Sequence, residues 1–318
     1  MSSADPIGGY FELELPPPGR FPQDGAIRLN SGRACFEYVL RAEPPARVHL
    51  PKFTCDAMLE PIRRLGLPFV FYGITADLEL AELPDLGADE RLVYTNYFGI
   101  KDDYCRWLAG RYGHRLIVDS CQALFFPAPE GVPTFYSPRK FVGVPDGGLL
   151  AAEATTEVAL ERDVSATRFS HLIDRIDRGP EAAYDQFRAN DGSLGGAAMK
   201  HMSRSTERIL GSIDFERVRL RRRENHALLH DALAGSNTLG VAGGPAACPM
   251  VYPFLSPDPR LRERLIENKI FVATYWPNVF EWAEPGEWEH ELALRLLPLP
   301  IDQRYGASEM RRIVDLIG

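Results

Sequence analysis

The sequence predicts an α/β fold in which a mostly parallel β-sheet is flanked by helices. Between residues 30 and 120, segments with apolar residues at helical spacing alternate with short, almost continuously apolar segments, which is typical of strands buried on both faces. The chain has 318 residues, enough for a large domain and a smaller partner. We expect an N-terminal arm and the large domain over 1–200, and a long helix and a small α+β domain over 201–318.

The first elements can be placed in order. The stretch "LELPPPGRFPQDG" is rich in Pro and Gly and predicts an extended arm. In "NSGRACFEYVLRA", Asn30 or Ser31 caps a helix whose apolar residues recur at helical spacing. The segment "RVHLP" follows as a short strand, so the alternation begins here.

The alternation continues through the first half of the chain. A helix over 55–66 stops at a glycine, Gly66. The later segments are, in order, a strand over 67–74, a strand over 91–99, a helix over 102–113 and a strand over 114–119.

The second half is more charged and more helical. Residues 155–235 are predicted to be helical, with a mobile loop at "RANDGSLGGAA" and a long helix over 205–233. The remaining elements are a strand over 250–255, a helix over 258–269, a strand over 270–276 and a helix over 307–317.

The composition favours a small-molecule substrate. The chain carries a net charge of -8, which argues against binding to nucleic acid or to an anionic membrane. Five dispersed cysteines without a CxxC pattern indicate a reducing compartment. The N-terminus has no signal-peptide pattern, and no apolar run reaches the roughly 20 residues of a membrane span. We therefore expect a cytoplasmic protein.

A lone acid and a lysine suggest chemistry at one edge of the sheet. The strand "HRLIVD" ends on Asp119, which either caps the next turn or holds a cation. Lys140 follows in "YSPRKF", before the glycine pair of "PDGG". Since ligands of α/β folds bind at the carboxyl ends of the strands, Asp119 and Lys140 are candidate site residues.

These residues match the requirements of pyridoxal phosphate (PLP). That cofactor needs a lysine for a Schiff base, a carboxylate for the pyridine nitrogen and donors for the phosphate. Lys140 and Asp119 supply the first two. The turn "NSGRA" supplies the third, because Ser31, Gly32 and the amides of a helix N-terminus favour an anion. Each feature alone is ordinary, and together they favour the cofactor.

Along nearly its whole length the chain resembles the DegT/StrS-type sugar-nucleotide aminotransferases, within the aspartate aminotransferase superfamily of fold type I PLP enzymes. The stretches that carry the resemblance are "NSGRACFEYVL", "LPKFTCDAMLEPIRRLG", "VDSCQAL", "SPRKFVGVPDGGLL" and "LPLPIDQRYGASEMRRIVDLI". The resemblance implies that Lys140 forms the internal aldimine, that Asp119 pairs with the pyridinium nitrogen and that Gln122 contacts the ring or its 3-hydroxyl.

The resemblance also implies phosphate ligands, with departures from the family pattern. Ser31, Gly32 and Arg33 would hold the phosphate, although Arg33 replaces the usual small residue or threonine. Ser137 is a weaker phosphate candidate, because the family's serine usually stands further upstream. Cys55 occupies the position where the family has an aromatic that stacks on the ring. The segment 186–200 is short and lacks the Asn-Tyr-Arg-Met pattern that completes the neighbouring subunit's site.

The function implied by the resemblance is transamination, from glutamate or glutamine as amino donor to a keto-sugar nucleotide or related ketone as acceptor, in a homodimer. Two alternatives remain open: another PLP-dependent reaction on a non-sugar substrate, and a catalytically inactive member that acts as a binding or regulatory protein. The loss of the stacking aromatic at Cys55 favours the first alternative, whereas the retention of Lys140 and Asp119 argues against the second.

Four other features have simpler interpretations. His226 and His230 have a spacing that can bind zinc, but a third ligand is missing, so we expect a structural helix and no metal. The arginine run "RVRLRRRENH" is interpreted as a solvated helix face. Cys121 has no paired histidine nearby and is interpreted as a small buried residue. The aromatic stretch 274–288 is either packing or part of the substrate mouth.

Overall fold

A computed structural model describes residues 7–17, 19, 21–153, 156, 158–240 and 247–318. In the predicted arm, residues 1–6, 18 and 20 lie outside the described residues. At the start of the charged segment, residues 155 and 157 do so too. The strands are β1 (Ile27–Leu29), β2 (Arg47–Pro51), β3 (Phe69–Tyr72), β4 (Glu90–Thr95), β5 (Leu116–Asp119), β6 (Thr134–Tyr136), β7 (Gly148–Ala151), β8 (Val251–Leu255) and β9 (Leu296–Pro300). The helices are α1 (Gly32–Ala42), α2 (Leu59–Arg64), α3 (Asp102–Tyr112), α4 (Ser170–Asp177), α5 (Pro180–Ser193), α6 (Arg204–Gly211), α7 (Phe215–Leu233), α8 (Leu261–Glu267), α9 (Val279–Trp282), α10 (Trp288–Arg295) and α11 (Ala307–Ile317).

Seven strands form one sheet in the order β1-β7-β6-β5-β4-β2-β3. The pairs β2–β3, β2–β4, β4–β5 and β5–β6 are parallel, whereas β7 is antiparallel to both of its neighbours. The prediction of a mostly parallel sheet flanked by helices is therefore confirmed. The carboxyl ends of β4, β5 and β6 lie side by side, because Thr95 pairs with Asp119 and Asp119 pairs with Phe135.

The central strands of the sheet are buried on both faces, which explains their continuous apolar runs. In β5, Leu116 and Val118 join one buried apolar cluster, and Ile117 between them joins another. Successive side chains of a strand point to opposite faces. A strand covered on both sides therefore has no polar face to alternate with its apolar one.

The second half of the chain builds a smaller layer. Strands β8 and β9 form an antiparallel pair. Residues from α7, α8 and α11 pack with these strands in an apolar cluster that includes Leu229, Leu265, Phe254, Leu299 and Ile313. Among the described residues, none of the helices combines the length and apolar character of a membrane span.

Four sequence expectations are wrong. Residues 158–165, expected to be helical, form no helix, and Arg162 and Asp163 instead pair with the main chain at His201. Residues 188–193 of the expected mobile loop belong to α5, where Asn190 donates to the carbonyl of Pro145 and Asp191 pairs with Arg139, so tertiary contacts override low helix propensity. The expected long helix is two helices, α6 and α7, because Asp214 accepts from the amide of Arg217 and starts a new helix. The segment 270–276 is not a strand, since β9 is the strand that pairs with β8.

Candidate active site

Asp119 ends β5 and is 7% exposed. Its Oδ1 atom accepts a hydrogen bond of 2.9 Å from the amide of Cys121, so the carboxylate does cap the following turn. The main chain on either side is fixed by bonds from Asn96 to the carbonyl of Asp119 and from Ser120 to the carbonyl of Phe135. The capping bond is compatible with the second interpretation, because the charge of Asp119 also acts to raise the pKa of Lys140.

Lys140 lies on the loop that follows β6, at the end of a 3₁₀ turn over Pro138–Lys140. Desolvation by the surrounding protein is the largest single influence on its pKa and lowers it, but Cys121, Asp119, Cys55 and Tyr275 together outweigh it. The pKa of Lys140 is therefore raised above its ordinary value. Lys140 as a whole residue is nevertheless exposed to solvent.

Asp119 is the neighbour that holds the charge on Lys140. Burial raises the pKa of Cys121, of Cys55 and of Tyr275, so these groups are neutral near physiological pH. A carboxylate is the remaining anion of the four. Among these four groups, Asp119 is therefore the one whose charge favours the protonated form of Lys140.

Gln122 lies on the turn after β5 and is 1% exposed. Its Oε1 atom accepts a bond of 2.7 Å from the amide of Phe98, which fixes the orientation of the amide group. Its Nε2 atom is buried without a hydrogen-bond partner within the described part of the chain. A buried donor without a partner is costly, so Gln122 fits a ligand that brings an acceptor oxygen to this position.

The predicted phosphate turn forms the N-terminus of α1. Ser31 is its N-cap, and the Ser31 Oγ atom accepts from the amide of Ala34 at 3.1 Å. Gly32 follows, and a Cβ atom there would lie 2.9 Å from Cys121 Sγ, so the turn sits against the residue between Asp119 and Gln122. The structure therefore brings the start of α1 against Cys121, which stands between Asp119 and Gln122 in the chain.

The side chain of Arg33, predicted to bind the phosphate, forms an ion pair within the protein. Its Nε atom pairs with Glu60 at 3.0 Å. The guanidinium still influences the site, because its charge and that of Lys140 act to lower the pKa of Cys55, which burial raises to about 11. The ion pair with Glu60 engages the Arg33 guanidinium, and its role as a phosphate ligand stays a prediction.

Cys55 and Ser137 lie near the lysine, and Ser137 contacts its main chain. Cys55 is half-buried, and its Sγ atom lies 3.4 Å from Asp56. Ser137 is buried at 7% exposure, and its carbonyl accepts from the amide of Lys140 at 3.2 Å. Cys55 contributes no aromatic face, whereas Ser137 shapes the lysine loop.

The glycine pair after the lysine has a structural role. The amide of Gly147 donates to the carbonyl of Asn30 at 2.8 Å. A Cβ atom on Gly148 would lie 2.3 Å from the carbonyl oxygen of Ser31, so only glycine allows β7 to approach the phosphate turn this closely. Asp146, before the pair, accepts from the amide and hydroxyl of Ser203 and from the hydroxyl of Thr206, which anchors α6.

Residues that the sequence did not single out complete the surroundings. Tyr275 influences the pKa of Lys140 and stacks on Phe98 with ring centroids 6.2 Å apart, while its neighbour Trp276 packs on Phe53 in the core. The aromatic stretch thus provides packing, and a part in the substrate mouth stays a prediction. Arg139, beside Lys140, pairs with Asp191 at 3.0 Å and keeps a buried Nε atom without a partner among the described residues. In the sequence, the position of Arg139 directly before Lys140 could have indicated that it lies near the site.

The two histidines of α7 form no metal site with the described residues. His226 and His230 stack with ring centroids 6.0 Å apart, and His226 also packs on Tyr252 at 5.2 Å. Within the described residues, no group of three or more His, Cys, Asp or Glu side chains could hold a metal ion.

The fold is similar to that of solved sugar aminotransferases, although no protein-family model and no curated protein matches the chain. An aminotransferase of the DegT DnrJ EryC1 StrS type from Brucella abortus is 16% identical over 92% of this chain and 84% of its own, with a TM-score of 0.58. DesI, solved in the presence of its TDP-sugar product, is 19% identical over 92% and 79%, with a TM-score of 0.60. The PMP form of the putative sugar aminotransferase Spr1654 from Streptococcus pneumoniae is 14% identical over 96% and 97%, with a TM-score of 0.61. The chain therefore has the fold of the DegT/StrS-type sugar aminotransferases.

Proposed function

We propose that the protein is a PLP-dependent aminotransferase that moves an amino group from glutamate or glutamine to a keto-sugar nucleotide or a related small ketone. The observation that carries this proposal is the convergence of Asp119, Lys140 and the unpaired Nε2 atom of Gln122 at one sheet edge. The similarity to aminotransferases of the same fold supports it, one of them in a PMP form and another with a TDP-sugar product.

The residues present fit the cofactor. The Asp119 carboxylate would pair with the ring nitrogen, and the buried donor of Gln122 would meet the 3-hydroxyl oxygen. The amides at the start of α1, with Ser31 and Gly32, would hold the phosphate. Lys140 would attach the cofactor covalently.

The proposed mechanism divides the work between the cofactor and the chain. The cofactor, when bound, supplies an electron sink that makes the substrate Cα–H bond acidic. Lys140 would act as general base and acid: its Nζ atom would take the proton from Cα of the amino donor and later deliver a proton to the acceptor carbon that receives the amino group. Asp119 keeps the ring nitrogen protonated, and its capping bond from Cys121 holds the carboxylate in place.

The amino-donor half-reaction tests this function. Purified protein loaded with PLP is expected to convert glutamate or glutamine to its 2-oxo acid in one turnover. Lys140→Ala should lower this rate by about 10²–10⁴-fold, since it removes the general base. Lys269→Ala is the matched control, because Lys269 pairs with Glu181 on the surface and should leave the rate unchanged. An equally active Lys140→Ala protein would contradict the proposal.

Cys55 favours a second candidate, another PLP-dependent reaction on a non-sugar substrate. A thiol stands where an aromatic would restrain the ring, and it is half-buried beside the lysine. A panel of keto-sugar nucleotides offered to the amino-loaded protein separates the candidates. Transfer to one of them supports the sugar aminotransferase, whereas donor turnover without any acceptor from the panel favours the second candidate.

We also propose that the protein is a cytoplasmic homodimer. The α4–α5 hairpin packs on the lysine loop through Arg139–Asp191 and Asn190–Pro145 contacts. Its outer side exposes apolar side chains that a second copy would cover, namely Ile173, Ile176, Tyr184 and Phe187. All five cysteines are free thiols, which is compatible with a reducing compartment.

A further inference from the structure

Arg222 is a buried cation in the middle of α7, and its side chain reaches the candidate site. It is 2% exposed, and burial lowers the pKa of its guanidinium. Its Nε atom donates to Gln303 Oε1 at 3.1 Å, its Nη1 atom to the carbonyl of Met250 at 2.8 Å and its Nη2 atom to the carbonyl of Phe141 at 3.2 Å. An arginine buried this deeply is costly, so its contacts require an explanation.

The first branch of these contacts holds the lysine loop. Phe141 directly follows Lys140, and its carbonyl accepts from Arg222 and also from Gln303 Nε2 at 2.8 Å. The guanidinium lies 4.6 Å from the centroid of the Phe141 ring. Two side chains from the second half of the chain therefore fix the peptide unit next to the lysine.

The second branch leads to Gln122. Arg222 binds the carbonyl of Met250, and the amide of Met250 donates to the carbonyl of Phe98 at 2.8 Å. The amide of Phe98 in turn donates to Gln122 Oε1 at 2.7 Å. A continuous chain of hydrogen bonds thus joins the peptide after Lys140 to the amide of Gln122 through one guanidinium.

We propose that Arg222, supported by Gln303, is a positioning residue that holds the Lys140 loop and the Gln122 amide in fixed register for the cofactor. This inference rests on the proposed function for its catalytic meaning, but the clamp itself does not depend on the cofactor. A planar guanidinium can donate in two directions at once, which a lysine ammonium on a flexible stem does not reproduce.

Hydrogen exchange on the protein without added cofactor tests the clamp. In Arg222→Met, the amides of residues 140–142 and of Phe98 and Met250 should exchange about tenfold faster, because charge-assisted bonds that hold both branches are lost. Gln303→Met removes one donor to the carbonyl of Phe141, so it should accelerate exchange of the amides of residues 140–142 but not of Phe98 and Met250. It also serves as the milder variant if Arg222→Met does not fold. Arg222→Lys should not restore slow exchange.

The matched control is Arg91→Met. Arg91 is also buried, at 8% exposure, but pairs with Glu43 at the opposite end of β4. Its replacement should leave exchange in both reporter groups at the parental rate. Equal exchange in the parent, in Arg222→Lys and in Gln303→Met would overturn the clamp.

A spectroscopic titration then tests the link to the lysine. In the PLP-loaded parent, the visible absorption band should titrate with pH, and its midpoint should shift in Gln303→Met and Arg222→Lys but not in Arg91→Met. Faster exchange with an unshifted midpoint would overturn the positioning role and leave Arg222 a packing residue. If the parent forms no Lys140 adduct at all, the proposed function fails, and the exchange data alone decide whether the clamp exists.

Discussion

At the scale of single residues, Asp119 has two simultaneous roles. One of its oxygens caps the turn at Cys121, and its charge acts on Lys140. The turn cap explains why a carboxylate at a strand end keeps a fixed orientation without a ligand. Because the carboxylate of Asp119 favours a nearby cation, it would also suit the protonated ring nitrogen of the proposed cofactor.

Asp119→Asn should lower the pKa of Lys140. In the parent this pKa is raised, so the amine is protonated until the pH exceeds its ordinary value. Removing the anion makes the ammonium less favourable, and the reactive neutral amine therefore appears at lower pH. Labelling of Lys140 with an amine-reactive reagent across a pH series, read by mass spectrometry, measures the shift.

The control for this series is Asp103→Asn, because the side chain of Asp103 is 88% exposed and lies on α3. Its labelling curve should match that of the parent. An unshifted curve for Asp119→Asn would mean that the carboxylate does not hold the charge on Lys140.

The site residues that the sequence predicts are those that stand in short, recognisable motifs. Lys140 and Asp119 were recognisable because each stands next to a strand in a short motif. Arg222 and Tyr275 were not, because their contacts reach across the sequence from the second half of the chain to Phe141 and Phe98. Such contacts have no counterpart in local spacing. The individual roles of the nominated residues stay predictions until they are tested.

At the scale of elements, tertiary contacts can produce a helix where local propensity predicts a loop. The stretch over 188–198 contains glycine, asparagine and aspartate, which are weak helix formers, yet its first part is helical in α5. Asn190 and Asp191 bind the lysine loop from that helix. A polar segment is thus helical because its side chains bind the loop that carries Lys140.

The close approach of β7 to the turn before α1 leads to a prediction about stability. Gly148→Ala should destabilise the protein by about 1–3 kcal/mol, because the new methyl group would overlap the carbonyl of Ser31. Gly110→Ala, in the last turn of α3 with no heavy atom within 4 Å of its would-be Cβ, should instead stabilise by about 0.5–1 kcal/mol. Urea denaturation measures both free energies of unfolding, and similar values for the two variants would contradict the close approach.

Helix α7 makes a prediction about pH. Burial lowers the pKa of His226 from 6.5 to about 4, and His230 adds to the effect. Between these values the unfolded chain binds a proton that the folded chain does not, so stability falls as the pH falls through this window. The loss attributable to His226 is at most about 3 kcal/mol.

His226→Gln should remove that part of the pH dependence. The free energy of unfolding of the parent and the variant, measured by denaturation at several pH values, should converge as the pH is lowered. His114→Gln is the control, because His114 is exposed on the turn before β5. A parallel pH profile for the parent and His226→Gln would show that His226 does not carry the dependence.

At the scale of the whole molecule, the fold class was predictable and the details of the topology were not. Alternating helices and apolar strands indicated a mostly parallel sheet, which is confirmed. The reversal of β7 depends on pairing with β1 and β6, strands that are distant in sequence from each other. The division at residue 200 stays a prediction, although the two-stranded sheet lies wholly in the second part.

The proposed dimer is tested at the same scale. Ile176 is 81% exposed on the α4–α5 hairpin, and Ile176→Asp should weaken self-association by roughly tenfold or more if a second copy covers it. Leu220→Asp is the control, because Leu220 is 59% exposed on α7, away from the hairpin. Analytical ultracentrifugation over a concentration series gives the result, and a monomeric parent protein would exclude the dimer.

The central claim is that Lys140 carries the cofactor in a site whose ring nitrogen faces Asp119. The most direct measurement is reduction of the PLP-loaded protein with borohydride, followed by peptide mapping. The visible band should bleach, and the pyridoxyl group should be found on Lys140 and not on the other lysines. No visible band after PLP is added, or a pyridoxyl group spread over surface lysines, would contradict the claim.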